Sequence, residues 1–404
     1  MLYFWPSQLM KRRFPLVPVL IFIVLFVTLN FYVLSGFETF SINPIVPLLF
    51  WTAVLGISAA LISAFRRIDS RGMDTYFKVA THAFLILLTS ELVFVIFLIP
   101  GDLYRLAVGH GRSLQWVGFA VSMFILTILI FLYGMIRGKY AYRVIRHVLK
   151  FEDLPEAFDG FTITQISDVH SGSFKNKKAI QKGIDLINEQ KSDLFVFTGD
   201  LVNNKASEML PWLKYFSQIK APFGQFSILG NHDYGDYVKW DSEQNKRANL
   251  EQLKSYHRQL GYRLLLDEHV ELKKDGQRII LAGVENWGLG FGERGDLRKA
   301  LQAVNPADFK ILLSHDPTHW ESQVKTYPVK IQLTLSGHTH GMQFGIEAFG
   351  IKWSPVKYRY AHWAGLKAEN GRVLNINRGF GFLGFSGRIG IWPEITVIEL
   401  RKGV

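Results

Sequence analysis

Four stretches of this chain are long and apolar enough to cross a membrane as helices: about residues 14–36, 43–65, 77–100 and 114–136. Each reaches the roughly 20 apolar residues that a helix needs to span a bilayer. In hydrocarbon every backbone polar group must be satisfied within the chain, and a continuous apolar run does this as a helix. The first stretch is longer than a signal-peptide core and lacks a small-residue cleavage site, so it is expected to stay in the protein. Residues 1–136 therefore read as a four-helix transmembrane region.

Basic residues orient such a region. Lys11, Arg12 and Arg13 precede the first span, and no Lys or Arg lies between the first and second. Arg66, Arg67, Arg71 and Lys78 follow the second, Arg105 and Arg112 the third, and Arg137, Lys139, Arg143, Arg146 and Lys150 the fourth. With both ends inside, twelve of these face the cytoplasm and two face out. The excess predicts a multi-pass protein of the inner (cell) membrane with its C-terminal half cytoplasmic. The same count explains the net charge of +12: residues 1–150 hold 14 Lys+Arg against 5 Asp+Glu, whereas residues 151–404 hold 32 against 29. The excess belongs to membrane topology, and no nucleic-acid partner is expected. The absence of cysteine excludes disulfides and thiolate zinc sites and is compatible with a reducing compartment. Glu91 sits mid-span beside Thr89 and Ser90. It reads either as a proton or ligand site or, more simply, as a protonated carboxyl hydrogen-bonded to a neighbouring helix.

After residues 137–157, which read as a linker, the pattern changes to short β-rich runs alternating with amphipathic stretches. Phe161–Ile166, Leu194–Phe197, Gln225–Leu229, Lys310–Leu313 and Ile331–Leu335 read as buried strands. Asn176–Glu189, Ser207–Gln218 and Ser242–Leu260 read as helices, and Val270–Lys273 with Arg278–Ala282 as a hairpin across Asp275-Gly276. Arg372–Asn377 and Glu394–Leu400 are two further strand-like runs.

Five motifs follow the ends of those buried strands: Asp168-Val169-His170, Gly199-Asp200, Gly230-Asn231-His232-Asp233, Ser314-His315-Asp316 and Gly337-His338-Thr339-His340. In open α/β sheets successive loops converge beyond the carboxyl ends of the strands, so ligands far apart in sequence can meet there. Asp168, His170, Asp200, Asn231, His315, His338 and His340 are the candidate metal ligands. Asp168 and His170, like His338 and His340, are two residues apart, which on an extended strand end puts both side chains on one side. Asp200 offers a carboxylate able to bridge two cations. Oxygen and nitrogen donors without sulfur suit Mn, Fe or Zn, and two such divalent ions suit hydrolysis of a phosphate ester. His232 directly follows a ligand and so faces the substrate as a candidate general acid, with Asp233 expected to orient its ring. Asp168-Val169-His170 or Gly199-Asp200 alone is more often a plain turn, and Gly337-His338-Thr339-His340 alone is moderately specific; all five in this order after apolar strands are very hard to obtain by accident. His257, on a polar helix, and His269 belong to no motif and read as surface residues. His319 and His362 are assigned no role.

On these motifs, and on Leu335–Gly341, Asn377-Arg378-Gly379 and Pro393-Glu394-Ile395, residues 158–402 resemble the calcineurin-like metallophosphoesterases, most closely their bacterial membrane-associated branch. The resemblance does not extend to the membrane half. It implies an α/β domain folded as a four-layer α/β/β/α sandwich with a dinuclear site at one edge. By position, Asp168, His170, Asp200 and His340 would hold one metal, and Asp200, Asn231, His315 and His338 the other. Met342 departs from relatives that carry a second glycine before Gln343. The activity implied is hydrolysis of a phosphodiester or phosphoanhydride by a metal-bridging hydroxide. Cytoplasmic tethering and the aromatic segments Phe344–Leu366 and Phe380–Phe385, with Trp353, Tyr358, Tyr360 and Trp363, suggest a lipid-linked substrate such as UDP-diacylglucosamine. The plainer account has those aromatics packing the C-terminal sheet. Two other readings stand beside this one: a nucleotide phosphodiesterase merely tethered to the membrane, and a non-catalytic sensor or scaffold.

Overall fold

The computed structural model describes residues 16–40, 43–68, 72–348 and 350–403; Lys11, Arg12, Arg13 and Arg71, used above for topology, lie outside them. The chain divides into two compact units, the first ending at Leu132 and the second beginning at Tyr133.

The first unit contains α1 (Leu16–Phe37), α2 (Ile45–Arg66), α3 (Thr75–Val108) and most of α4 (Leu114–Ile136). All four are long and apolar enough to cross a membrane. Val33, Phe94, Leu98, Val117 and Ala120 interlock at their centre, while Leu, Ile and Val side chains such as Val24, Leu55 and Ile96 lie exposed on the outside, as lipid-facing surface does. α3 runs past Pro100, where the sequence suggests it ends. Its extension is tied down by Asp102, which accepts from Arg112 (2.5 and 2.8 Å) and from the Tyr32 hydroxyl (2.8 Å). Glu91 is fully buried, and neither carboxyl oxygen has a hydrogen-bond partner among the described residues. The interhelical hydrogen bond expected for it is therefore not seen.

The second unit holds β1 (Arg143–Phe151), β2 (Thr162–Ile166), α5 (Lys177–Glu189), β3 (Leu194–Thr198), β4 (Gln225–Ile228), α6 (Glu243–Leu260), β5 (Tyr262–Leu264), β6 (Glu268–Lys274), β7 (Gln277–Gly283), β8 (Lys310–Leu313), β9 (Leu333–Ser336), β10 (Gly365–Glu369), β11 (Arg372–Ile376) and β12 (Glu394–Lys402). They form two six-stranded sheets, ordered β1-β12-β2-β3-β4-β5 and β10-β11-β9-β8-β7-β6. Side chains alternate across a strand, and the alternation builds the layers. Leu194 and Val196 of β3 face Ile311, Leu313, Leu333 and Leu335 in a core between the sheets. Phe195 and Phe197 point the other way, onto Ile180 and Ile184 of α5 and Leu253 and Leu260 of α6. Leu312, Leu374 and Ile376 cover the far side of the second sheet with Leu297 and Trp320. This is the expected helix–sheet–sheet–helix sandwich.

Two local expectations fail. The segment read as a linker contains β1, which pairs in parallel with β12 along its whole length. Ser207–Gln218 is not one helix: a 3₁₀ turn, Ala206–Trp212, contains Pro211 and passes into a single α turn, Leu213–Phe216. Proline cannot supply the N–H that a continuous α-helix needs there.

Candidate metal centre

The five motifs leave the carboxyl ends of β2, β3 and β4 in one sheet and of β8 and β9 in the other. Their loops are laced together by backbone hydrogen bonds. Asp168 N–H donates to Gly199 C=O (2.9 Å), His170 N–H to Asp200 C=O (3.1 Å) and Gly337 N–H to His315 C=O (2.9 Å). Lacing this tight requires glycine. At Gly199, with φ +96°, a Cβ would lie 2.7 Å from Gly230 N and 2.8 Å from His315 Nδ1.

Two clusters of ligand-type atoms result, Asp168–His170–His340 and Asp200–His315–His338. In the first, His340 Nε2 lies 3.2 Å from Asp168 Oδ1 and 3.0 Å from His170 Nε2. In the second, His315 Nε2 lies 3.2 Å from Asp200 Oδ2 and 3.3 Å from His338 Nδ1, and Asn231 Oδ1 lies 2.9 Å from the same His338 nitrogen. Asp200 Oδ2 is also 3.5 Å from His170 Nε2, so one carboxylate touches both clusters. All seven residues predicted as ligands thus converge. Buried imidazole nitrogens and carboxylate oxygens aimed at common points, without a sulfur among them, fit two divalent cations.

The side chains converge by a different route from the one expected. Asp168 (φ 51°) and His170 (φ 47°) are not on an extended strand end; both have left-handed backbone, as do Asp200 (63°), His338 (72°) and His340 (50°). Such conformations cost roughly 1–3 kcal/mol each in non-glycine residues and cluster at functional sites. Here the lacing described above holds them.

Neighbouring groups set ring orientation and charge. His315 Nδ1 donates to Thr198 C=O (2.7 Å), leaving Nε2 for the site. His338 turns Nδ1 to the site and Nε2 to Asp316 (3.2 Å) and the Tyr360 hydroxyl (2.9 Å). Partners of this kind fix the ring of a metal-ligating histidine. Burial alone would raise the Asp200 carboxyl, but His315 and His232 beside it hold it well below the usual carboxylate range. Burial likewise opposes charge on His315, yet the Asp200 carboxylate, by charge and hydrogen bond, pushes it up to about 10. A divalent cation held by His315 would require the ring without that proton.

His232 stands at the edge of the pair, its ring 5.0 Å from that of His170. Its Nδ1 donates to Asn203 C=O (2.8 Å), which leaves Nε2 free. Asp233 does not orient it. One Asp233 oxygen accepts from the N–H groups of Asp200 and Gly230 (2.9 Å each), and the other from Leu201 (2.8 Å) and Val202 (3.2 Å). The expectation for Asp233 is thus corrected: it holds the Asp200 loop, and a carbonyl holds His232.

Several residues around the site carry no motif in the sequence. The Tyr237 ring lies tilted against His232 (centroids 4.4 Å apart), and its hydroxyl accepts a hydrogen bond from the Asn231 amide (2.8 Å). The Phe291 ring lies 4.5 Å from His338. Arg388, fully buried, donates to the carbonyls of Arg378, Gly379 and Gly381, and that loop in turn donates to Ser167 and Asp168 C=O. Nothing in the local sequence marks these residues; Phe291 and Arg388 act on loops distant in the chain, and Tyr237 follows its motif by only a few residues but belongs to no pattern. His257 is not the surface residue expected: it is fully buried and hydrogen-bonds Ser227 (2.9 Å). The spacing of Leu253, His257 and Leu260 on α6 carries that signal. His269 and His362 are half-buried and contact the carbonyls of Ala300 and Gly365; His319 is buried against Ser314 (2.8 Å).

A family profile described as "Calcineurin-like phosphoesterase" matches residues 161–342. The "Uncharacterized metallophosphoesterase YkuE" of Bacillus subtilis is 31% identical over 262 residues, covering 63% of this chain and 84% of its own length. This chain belongs to the calcineurin-like phosphoesterases. It is a membrane-associated metal-dependent phosphoric ester hydrolase of that family, with two His/Asp clusters for metal. A second profile, "Probable Calcineurin-like phosphoesterase, transmembrane domain", matches residues 12–139, so the likeness reaches into the membrane half, contrary to expectation. The chain is also 27% identical to a "Transmembrane protein with metallophosphoesterase domain" of Danio rerio, covering 73% of this chain and 65% of that protein. It is 30% identical to the "UDP-2,3-diacylglucosamine pyrophosphatase LpxG" of Chlamydia muridarum, covering 48% of this chain and 68% of that protein.

Proposed function

We propose that this metallophosphoesterase cleaves a phosphoanhydride or phosphodiester in a lipid-linked substrate at the cytoplasmic face of the cell membrane. The observation that carries the catalytic part is the shared carboxylate: Asp200 Oδ2 lies 3.5 Å from His170 Nε2 in one cluster and 3.2 Å from His315 Nε2 in the other. Asp168, His170, Asp200 and His340 would hold one divalent cation, and Asp200, Asn231, His315 and His338 the other. Manganese, iron or zinc suits this donor set. When bound, such a pair supplies Lewis-acid polarisation of phosphoryl oxygen and activation of water.

The chain's own groups do the rest. His232, anchored through Nδ1 to Asn203 C=O, presents Nε2 to the leaving oxygen and gives it a proton. Asp233, by gripping four N–H groups, keeps Asp200 where its one carboxylate serves both clusters. Asp316 and Tyr360 keep the His338 ring from turning.

The four apolar helices and the exposed apolar side chains just after the last metal motif support a lipid-linked substrate. Trp363 and Tyr360 are buried, as are Phe380 and Phe382, and these pack the domain as the plainer account of the aromatic segments has it. Met342, Ile346, Ile351 and Tyr358 instead remain exposed. The named activity of the Chlamydia relative points to a lipid nucleotide such as UDP-diacylglucosamine.

The test is hydrolysis by the detergent-solubilised full chain with added Mn²⁺. UDP-diacylglucosamine should be cleaved at its pyrophosphate faster than soluble nucleotide diesters. A preference for the soluble diesters would favour a tethered nucleotide phosphodiesterase. A metal-loaded protein without activity on either would favour a scaffold.

A further inference from the structure

Immediately beyond α4, the second unit carries a cleft of about 580 Å³ that belongs to no part of the metal centre. Met135 and Ile136, the last two residues of the helix, form one wall; Lys139, Lys175, Lys177 and Lys178 line the rest together with Tyr140 and Asn176. No acidic side chain lines it, and none of the four lysines forms a salt bridge among the described residues. Lys175, Lys177 and Lys178 are exposed, while Lys139 is half-buried, its Nζ 5.0 Å from the Phe382 ring and 3.3 Å from Ser386 C=O. The cleft opens at the start of α5, a 13-residue helix whose first turn follows the Asn176 cap.

Four like charges facing one volume repel one another, and an anion placed among them relieves the repulsion. The positive end of α5 adds to the same field. A soluble anion needs only that field. The apolar wall is the distinguishing feature. Ile136 is 67% exposed in the last turn of a helix long and apolar enough to cross a membrane, and the end of such a span is where lipid phosphates are met. Basic residues just beyond a span, facing an anionic leaflet, attract its headgroups by a factor of about five per charge.

We propose that this cleft is a binding site for the phosphate of an anionic membrane lipid, with Lys139, Lys175, Lys177 and Lys178 as the phosphate ligands and Met135 and Ile136 against the glycerol end. The inference does not depend on which substrate the metal centre cleaves.

The full chain in non-ionic detergent is challenged with equal amounts of phosphatidylglycerol and phosphatidylcholine, and bound lipid is counted by native mass spectrometry. Phosphatidylglycerol should be retained at least tenfold over phosphatidylcholine. Each single change, Lys175→Gln, Lys177→Gln or Lys178→Gln, should cost about fivefold in that preference, and the triple change should abolish it. Lys→Arg at the same three positions should keep it. Lys182→Gln, on the same helix outside the cleft, should leave it unchanged; an equal loss there would mean only bulk charge and would overturn the site. Retention of the full preference by the triple Gln variant would overturn it too. So would inorganic phosphate displacing the lipid at millimolar concentration, since that result would mark a soluble-anion site. Lipid-free melting temperatures establish that each variant is folded, and the single changes decide the matter if the triple variant is not.

Discussion

Asp233→Asn separates two roles for one carboxylate. In the fold, its two oxygens each accept two backbone N–H groups, from Asp200 and Gly230 on one side and from Leu201 and Val202 on the other, at 2.8–3.2 Å. Burial and the neighbouring Asp200 carboxylate raise this carboxyl to about 7, while the N–H groups of Gly230 and Val202 favour the ionised form that can accept them. Asparagine keeps the shape and one oxygen, but its amide nitrogen must face two of those donors. Two buried N–H groups then lose their acceptor, at about 1–3 kcal/mol each, so the variant should be less stable by roughly 2–6 kcal/mol. For a unit of this size that corresponds to a melting temperature lower by on the order of 10 °C. Whichever oxygen is replaced, a bond to the Asp200–Val202 loop is lost, and the left-handed Asp200 backbone (φ 63°) is part of that loop, so affinity for both metals should fall as well. The measurements are thermal unfolding without added metal, and metal content against free Mn²⁺. If Asp233 instead oriented His232, stability and metal content would stay at wild-type values and only the leaving-group step would slow. That pattern would rule out the loop-holding role.

Four further outcomes follow from the same geometry. Asp200→Ala removes the one carboxylate near both clusters and should abolish activity and strip most bound metal, read by elemental analysis. His232→Asn should keep both metals yet lower kcat by roughly 10²–10⁴ on a poor leaving group, with a much smaller loss on an activated aryl phosphodiester. His257→Ala, which empties a fully buried position and frees the Ser227 hydroxyl, should destabilise by roughly 2–4 kcal/mol in denaturant unfolding while metal affinity is unchanged. A cytoplasm-dependent reporter fused after Val404 should be active and an export-dependent one silent; the reverse would place the catalytic unit outside and remove cytoplasmic lipid nucleotides as substrates.

The sequence alone determined the spans and the strands and named the residues that converge between the loops. A run of 20 or more apolar residues has one backbone solution in hydrocarbon, so α1, α2 and α4 fall within about two residues of where composition puts them. Strands such as Leu194–Thr198 are short, apolar and bounded by turn residues, and the glycines and histidines after them need no partner to be recognised. What tertiary structure decided was everything that depends on chain far away. β1 reads as a basic linker because charged residues break its apolar run; it becomes a strand only by pairing with β12, some 250 residues later. α6 looks polar over its length, and its packing against Phe197 and its neighbours shows which of its spacings, that of Leu253, His257 and Leu260, is the buried stripe. The spacing of Asp168 and His170 suggested a pleat, but hydrogen bonds to Gly199 and Asp200 impose left-handed backbone instead. Asp233 adjoins His232 in sequence, yet its oxygens turn to N–H groups 31–33 residues back, because a buried carboxylate goes where several donors converge. Local pattern names the residues that can do chemistry. Which atom each one faces is set by loops that only the two stacked sheets bring together.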